Sequence, residues 1–586
     1  MTAMGVSCGD SFFDQKVPGA YTEAALANAK GVEGMLIATY SMLDGSYFES
    51  WDNNYFNQVG GGSNWVWGSI RGGDAYKGTE PTDFVDINAV ETHTVNFSNG
   101  TLNNKWTASY DGIARANQTL RGLAAATDIV PANRLRIEGE ARFLRAHYHF
   151  EAVKAFGVAP FVPETALDAD LRVIQNDHLI WSEIEADLQF AYDNLPGTQT
   201  AAGRANKWAA GAYLAKVKIF QAKWAEALTI LNAVLTSGTT ASGNTYNLLP
   251  RYGDLFRVAS ELNSTEAVFS YEASASDGTI GNGNYENTLN QPHGSSAPTG
   301  CCGFFQPSQN FVNSFKVNGS GLPLLTTYNS SDIANDEGIL SSGAFTPDNT
   351  TPVDPRLDWS VGRRGIPFLD WGVHPGANWV RLQTYGGPYT PKKNVPSLAE
   401  LNGSEAGVID WGFTSSAQNV AIIRFADVLL WAAECEAEVG SLANATTHVN
   451  RVRTRAANAA GYVAGSPANY QIGNYPTFAT RAEALAAIRF ERKIELGMEG
   501  HRFFDLVRWD NATDKGLTQL PFDIVTYLNT EYLAVEKTKR NHLSTATFTE
   551  KYKYLPIPEN VITQMTVGGV KLVDQSTAWG GIRSLD

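Results

Sequence analysis

The sequence predicts a mainly α fold: a tetratricopeptide-like scaffold of helical hairpins with a long irregular, loop-rich insertion lobe containing short strands. Three observations carry this. Apolar residues recur at three- and four-residue steps in separate stretches between residues 20 and 236. The helix-turn-helix pattern at 205–236 has a counterpart at 424–458. Between them, from roughly 240 to 418, Gly, Ser, Asn, Pro and aromatic residues dominate and the periodicity disappears.

Residues 20–43 have helical spacing, and a loop-rich stretch, 44–100, follows. Helical patterns resume at about 103–126, 133–156, 178–194, 205–221 and 224–236. Pro131, Gly157 with Pro160, and Pro196-Gly197 separate them. In the 205–236 pair, small Ala and Gly residues allow close helix approach, and Ala222-Lys223-Trp224-Ala225 leads into the second helix much as in a tetratricopeptide repeat. The pairs at 103–156 and 480–509 are looser versions. A connection of more than 150 residues without periodicity is too long to be passive. It is expected to be a folded lobe and the home of ligand contacts. The chain therefore divides into an N-terminal tether (1–19), a helical region (20–240) and a C-terminal region (241–586), the last split into the irregular ligand-binding lobe (241–418) and closing helices (419–586).

The chain has 586 residues, is 43% hydrophobic and carries a net charge of −15 with no Lys/Arg block. It can bury a sizeable core, and the charge argues against nucleic acid, whose affinity comes from neutralised phosphates. No run of 18 apolar residues is present, so no transmembrane helix is expected. Gly5-Val6-Ser7-Cys8, followed by Gly9-Asp10, reads like the tail of a bacterial lipoprotein signal whose basic and apolar parts are missing, with Cys8 as the lipidated residue. Cys435 lies in an apolar helical pattern and reads as a core residue. Cys301 and Cys302 are adjacent: in an oxidising compartment they can close a vicinal disulfide, a rigid apolar surface suited to a ligand, and otherwise they are two reduced buried thiols.

Catalytic patterns are missing. None of the nine histidines is followed by Glu, so there is no HExxH; there is no GK[ST] phosphate cradle and no GxSxG elbow. GNGNYEN at 281–287 lacks the third glycine of a dinucleotide fingerprint. A pair of carboxylates for glycoside hydrolysis needs only the right spacing in the fold, and nothing in the sequence marks one. No cofactor, metal or catalytic residue is expected.

The densest group of ionisable residues is ERKIELGMEGHRFFDLVRWD, 491–510. At about 100° per residue, Ala484, Leu485, Ile488, Glu491, Arg492 and Glu495 share one face. Glu491 and Glu495 are like charges one turn apart, and a buried carboxylate persists only when paired and hydrogen-bonded. Arg492, Arg502, Arg508 and Arg424 are the candidate partners. So many arginines lower carboxylate pKa values and work against a general acid. The segment reads as a structural ion network of Glu491, Arg492, Glu495 and Arg502 rather than a proton-transfer site.

Several ordered segments resemble the SusD/RagB-like outer-membrane nutrient-uptake lipoproteins of Bacteroidetes. GEARFLRAHYHFEAVKAFGVAPFV (139–162), RFADVLLWAAECEAEVG (424–440), ERKIELGMEGHRFFDLVRW (491–509) and KYKYLPIPENVITQ (551–564) carry the resemblance, with DPRLDWSVGRRG (354–365) and QPSQNFVNSFK (306–316) in support. It implies a helical-hairpin scaffold, a lipid anchor at Cys8 on the cell surface, and capture of an oligosaccharide for a SusC-like TonB-dependent transporter, without catalysis. A peptide-binding RagB-like member is the alternative, and a glycoside hydrolase on a helical scaffold is a more distant one. Sugars stack their apolar faces on flat rings and bond amides and carboxylates through their hydroxyls. The candidate contacts in the two loop-rich regions are Trp51, Trp65, Trp67, Tyr285, Trp371, Trp379 and Tyr385, with Asn64, Asp74, Asn284 and Asn378 as polar partners.

Overall fold

The computed structural model describes residues 23–45, 58–167, 171, 173–261, 264–277, 282–408 and 413–585; Cys8, the 1–19 tether and Trp51 lie outside them. The fold is mainly α. Helices Gly100–Ala125 and Pro131–Phe156, Lys207–Phe220 and Trp224–Ser237, and Phe425–Val439 and Leu442–Ala456 form successive hairpins, with Trp181–Asn194 packed between the first two. Local chemistry sets their ends. Pro131 opens its helix at a position whose N–H has no helical partner, and Asn206 caps Lys207–Phe220 by accepting from Ala209 N at 2.9 Å. The small residues permit the close approach anticipated above: a Cβ on Gly211 would lie 2.8 Å from the Tyr192 ring.

Among the described residues, strands occur only as two-stranded pairs. Two pairs tie distant parts of the chain together. Ala75–Gly78 runs antiparallel to Phe304–Pro307, with Tyr76 opposite Gln306 and Gly78 opposite Phe304. Ala267–Tyr271 runs antiparallel to Val420–Arg424, entering the helix Phe425–Val439 directly. One apolar core lies within the helical hairpins, around Phe143, Tyr213, Leu429 and Trp431. A second joins the early loops to the lobe around Trp65, Trp67, Tyr76, Phe304 and Phe311. A small third core of Ala297, Phe368, Trp379 and Val395 supports the lobe's outer loops. No helix among the described residues is long and apolar enough to cross a membrane.

The charged face of helix Arg481–Leu496 is buried and fully paired. Glu491 meets Arg356 at 2.7 Å and Arg453 at 2.8 Å. Glu495 meets Arg356 at 2.8 Å, Arg424 at 2.6 Å and Arg455. These guanidiniums hold the Glu495 carboxyl well below the usual range despite its burial. Two expected members of this network belong elsewhere. Arg492 pairs with Asp505 at 2.8 Å and Asp427 at 3.2 Å. Arg502 donates to Tyr527 Oη at 2.7 Å. The reason is geometric: the turn at Met498–Gly500 redirects the chain, so the next helix, Arg502–Asp514, brings Asp505 back to Arg492 and carries Arg502 toward Tyr527. The partners are the expected Arg424, at the end of strand Val420–Arg424, with Arg356 from the lobe and Arg453 and Arg455 from helix Leu442–Ala456, and these last three lie at separations that spacing along one helix does not reveal.

Candidate functional site

The expected ligand contacts fall into two groups. Most are buried. Trp65 and Trp67 are 1% and 0% exposed, and their indole N–H groups donate to Gln58 O and Val59 O, each at 2.6 Å. Asn64 bridges Lys105 Nζ at 3.0 Å and Glu151 at 3.1 Å. Asp74 accepts from Ser69 Oγ and Met498 N, and burial pushes its carboxyl up to about 6. Asn284 donates to Gln418 O and accepts from Asn287. Tyr385 is 6% exposed, donates to Asn88 Oδ1 at 2.7 Å and lies against the His542 ring at 4.1 Å. In this conformation these residues hold the loops rather than present a face to solvent. Their side chains sit where the fold needs apolar volume or a hydrogen-bond partner, a demand invisible in loop composition.

Tyr285 and Trp371 are half-buried, and the Trp371 indole donates to Pro396 O at 3.0 Å. Asn378 is exposed and Trp379 lies just beneath the surface, donating to Ser296 O at 2.9 Å. These last two are brought beside Cys301 and Cys302, which form a disulfide with a Cα–Cα distance of 3.1 Å across a cis peptide bond. His293 N donates to Trp379 O at 3.0 Å, and Gly303 N to Gln291 O at 2.8 Å.

A third segment completes this junction. Thr79 N donates to Gly303 O at 2.6 Å, an extension of the strand pairing at Gly78. Arg381 pairs with Glu80 at 2.8 Å and with Asp83, and its Nη1 reaches Thr79 Oγ1 at 3.2 Å. The Phe84 ring stands edge-on to Phe304 at 5.2 Å and is only half-buried. Segments 79–84, 293–304 and 376–382 thus meet at one surface. It offers two carboxylates, a guanidinium, an imidazole, the exposed Ser295 and Ser296, the Asn378 amide, and apolar surface from Phe84 and the disulfide. Burial and the Arg381 charge lower the His293 pKa, so the ring is neutral at pH 7 and can both donate and accept.

The backbone is strained here. Thr79, Phe84, Thr299 and Phe305 have φ of 54°, 43°, 65° and 59°, in the left-handed region that costs a non-glycine residue about 1–3 kcal/mol. Such strain persists only where surrounding structure over-determines it, and it concentrates at ligand clamps. Sequence reasoning missed Phe84, His293, Arg381, Glu80 and Asp83. Glu80-Pro81-Thr82-Asp83 is a recognisable turn sequence. Its pairing with Arg381, however, spans about three hundred residues and has no local signal.

Asp510, Asp514 and Glu550 bring carboxylate oxygens within 4.8 Å of one another. Lys553 Nζ already occupies the centre, at 2.6, 3.0 and 2.7 Å from the three groups. The ammonium there offsets part of the cluster's negative charge and fills the position a cation would take.

Comparison with known proteins places this geometry. The model described as "SusD family" matches residues 265–576, and one described as "Starch-binding associating with outer membrane" matches 69–219. The chain is 27% identical over 452 residues to the SusD-like protein P25 of Formosa agariphila, covering 70% of this chain and 71% of that protein. A solved laminarin-binding SusD-like protein superposes with a TM-score of 0.61 at 21% identity, over 91% of this chain and 97% of that one. Surface glycan-binding protein A from Bacteroides thetaiotaomicron, in complex with laminarihexaose, superposes with a TM-score of 0.60 at 18% identity, over 92% and 98%. At these identities the structural likeness speaks to the fold.

Proposed function

Since the chain belongs to the SusD family, we propose that it is a surface glycan-binding protein of the outer membrane that captures an oligosaccharide and delivers it to a SusC-like TonB-dependent transporter. In this reading Cys8 carries the lipid anchor and the helical hairpins face the transporter, while the irregular lobe holds the sugar. The ligand lies at the junction of 79–84, 293–304 and 376–382, with Asn378, Arg381, His293, Asp83 and Phe84 as contacts.

The observation that carries the reading is the mixture of groups at that junction. A pyranose has a less polar face for Phe84 or the disulfide, and hydroxyls that suit forked donors, carboxylate acceptors and amides. A long apolar groove of the kind that takes an amphipathic peptide helix differs in character from this mixture of charged, amide and apolar groups. Hydrolysis is disfavoured because Arg381 ties Glu80 and Asp83 to one guanidinium rather than leaving them to flank a glycosidic bond.

The test is calorimetric titration with laminari-, malto-, cello- and xylo-oligosaccharides beside a peptide library. Saturable binding of one glycan class with no released reducing sugar is the expected result. Binding confined to peptides, or to nothing in either set, contradicts the proposal.

A further inference from the structure

We propose that the Cys301–Cys302 disulfide is the apolar floor of a sugar subsite and makes direct contact with the pyranose ring. The inference rests on the glycan-binding reading above and assigns a contact within it.

Sugar recognition needs a flat apolar surface beside its polar groups. At the junction, the obvious supplier is withdrawn: Trp379 is 4% exposed, with its indole N–H committed to Ser296 O. The disulfide stands in its place. Cys302 is 5% exposed and anchored in the core with Phe304 and Phe305, whereas Cys301 is half-buried and reaches the surface. The two cysteines are thus a single covalent unit with one end fixed in the core and the other at solvent.

The neighbouring glycines let other segments approach the pair closely. Gly300 and Gly303, at φ of 83° and 84°, flank the pair. A Cβ added at Gly300 would make an ordinary van der Waals contact with Gly294 O, at 3.8 Å. At Gly303 a Cβ would lie 3.1 Å from His293 Cβ and 3.6 Å from Arg381 Cβ, which places the bases of both polar side chains beside the residue that follows Cys302. Thr299, just before Gly300, directs its hydroxyl toward Cys301 O at 3.4 Å. An apolar centre with imidazole, guanidinium and hydroxyl around it is the arrangement a pyranose needs. Sulfur is soft and polarisable, and its contacts gain dispersion energy without competing for the sugar's hydroxyls.

The experiment is an NMR titration of oxidised, full-length protein carrying β-13C-labelled cysteine with laminarihexaose, maltohexaose, cellohexaose and xylohexaose. Cys301 and Cys302 signals should shift with the same saturation curve as calorimetry, while buried Cys435 stays fixed. Reduction with a phosphine should weaken binding at least about tenfold with the thermal midpoint retained, and reoxidation should restore it. A hexaose that binds while both cysteine signals stay still overturns this inference and spares the glycan reading. Failure of every glycan to bind overturns both.

Discussion

Glu491 and Glu495, one turn apart on the same helix, converge on a single nitrogen, Nη1 of Arg356, at 2.7 and 2.8 Å. Like charges at this spacing repel on an isolated helix. Here the repulsion is overcome by four arginines from outside the helix, with Arg356 bridging both carboxylates and Asp354 holding Arg356 at 2.7 Å. The helix is thereby locked at once to the lobe, to the β-strand ending at Arg424, and to helix Leu442–Ala456.

Replacing Glu491 with Ala leaves Arg356 and Arg453 short of a buried partner. Breaking a buried pair costs about 3–5 kcal/mol. Chemical denaturation should show that loss, and the protein that remains folded should bind ligand with wild-type affinity. A fully stable E491A with selectively lost binding contradicts the structural role.

Trp67 and Gly68 act in the core, not in the site. The Trp67 indole is wholly buried, and truncation to Ala should cost about 3–5 kcal/mol. Gly68 packs against the turn at Gly500, where an added Cβ would lie 1.7 Å from the Gly500 carbonyl oxygen. G68A should therefore destabilise the protein measurably in urea despite adding only a methyl group. Unchanged midpoints for both variants would contradict this packing.

Buried titratable groups should make stability depend on pH in both directions. Burial raises Asp74 to about 6, Glu272 and Glu286 to about 7, and Glu261 to about 8. Their unfolded counterparts titrate near about 4, so the folded chain holds extra protons and the stability they contribute is lost as pH rises through 6–8. Burial holds His93, His147, His149, His374 and His501 at about 3. Unfolded imidazoles protonate near about 6.5, so stability is also lost as pH falls below that value. The depressed carboxyls Glu495 and Asp505 add a further loss in stronger acid. Burial also holds Lys154 and Lys392 at about 7 and Lys77 at about 8, which adds stability as pH rises above those values. The clean test is therefore a difference: relative to Glu261→Gln, the wild type should lose thermal midpoint as pH rises from about 4 to about 8, and a difference that does not change with pH contradicts the assignment.

Lys553 should make the Asp510–Asp514–Glu550 cluster indifferent to divalent cations. Calcium and EDTA should leave the thermal midpoint of the wild type unchanged, while Lys553→Ala should lower it and introduce a calcium-dependent recovery. A calcium-dependent midpoint in the wild type would contradict the ammonium's role.

The helical scaffold was legible because amphipathic periodicity is local: the hairpins at 205–236 and 424–458 are readable residue by residue. The burial of Glu491 and Glu495 was legible for the same reason, since they share a face with Leu485 and Ile488. Of their partners only Arg424 was anticipated, because Arg356, Arg453 and Arg455 arrive from elsewhere in the chain. The site suffers most from this. Tryptophan in a loop marks a large apolar group but not its direction, and Trp65, Trp67 and Trp379 turn inward to build cores beneath their loops. Arg381 and Phe84 carry no motif: the strand pairing at Gly78 and Phe304 seats the Phe84 segment, and the Arg381 ion pairs and the His293–Trp379 hydrogen bond seat the other.

The most direct test of the central claim is calorimetric titration of the best-binding oligosaccharide against the wild type and Arg381→Ala. Arg381 is partly exposed and its ion pairs lie at the rim, so its loss should leave the thermal midpoint nearly unchanged. The account predicts that affinity falls at least about tenfold in that variant. Wild-type affinity in a well-folded Arg381→Ala protein would contradict the placement of the ligand at this junction.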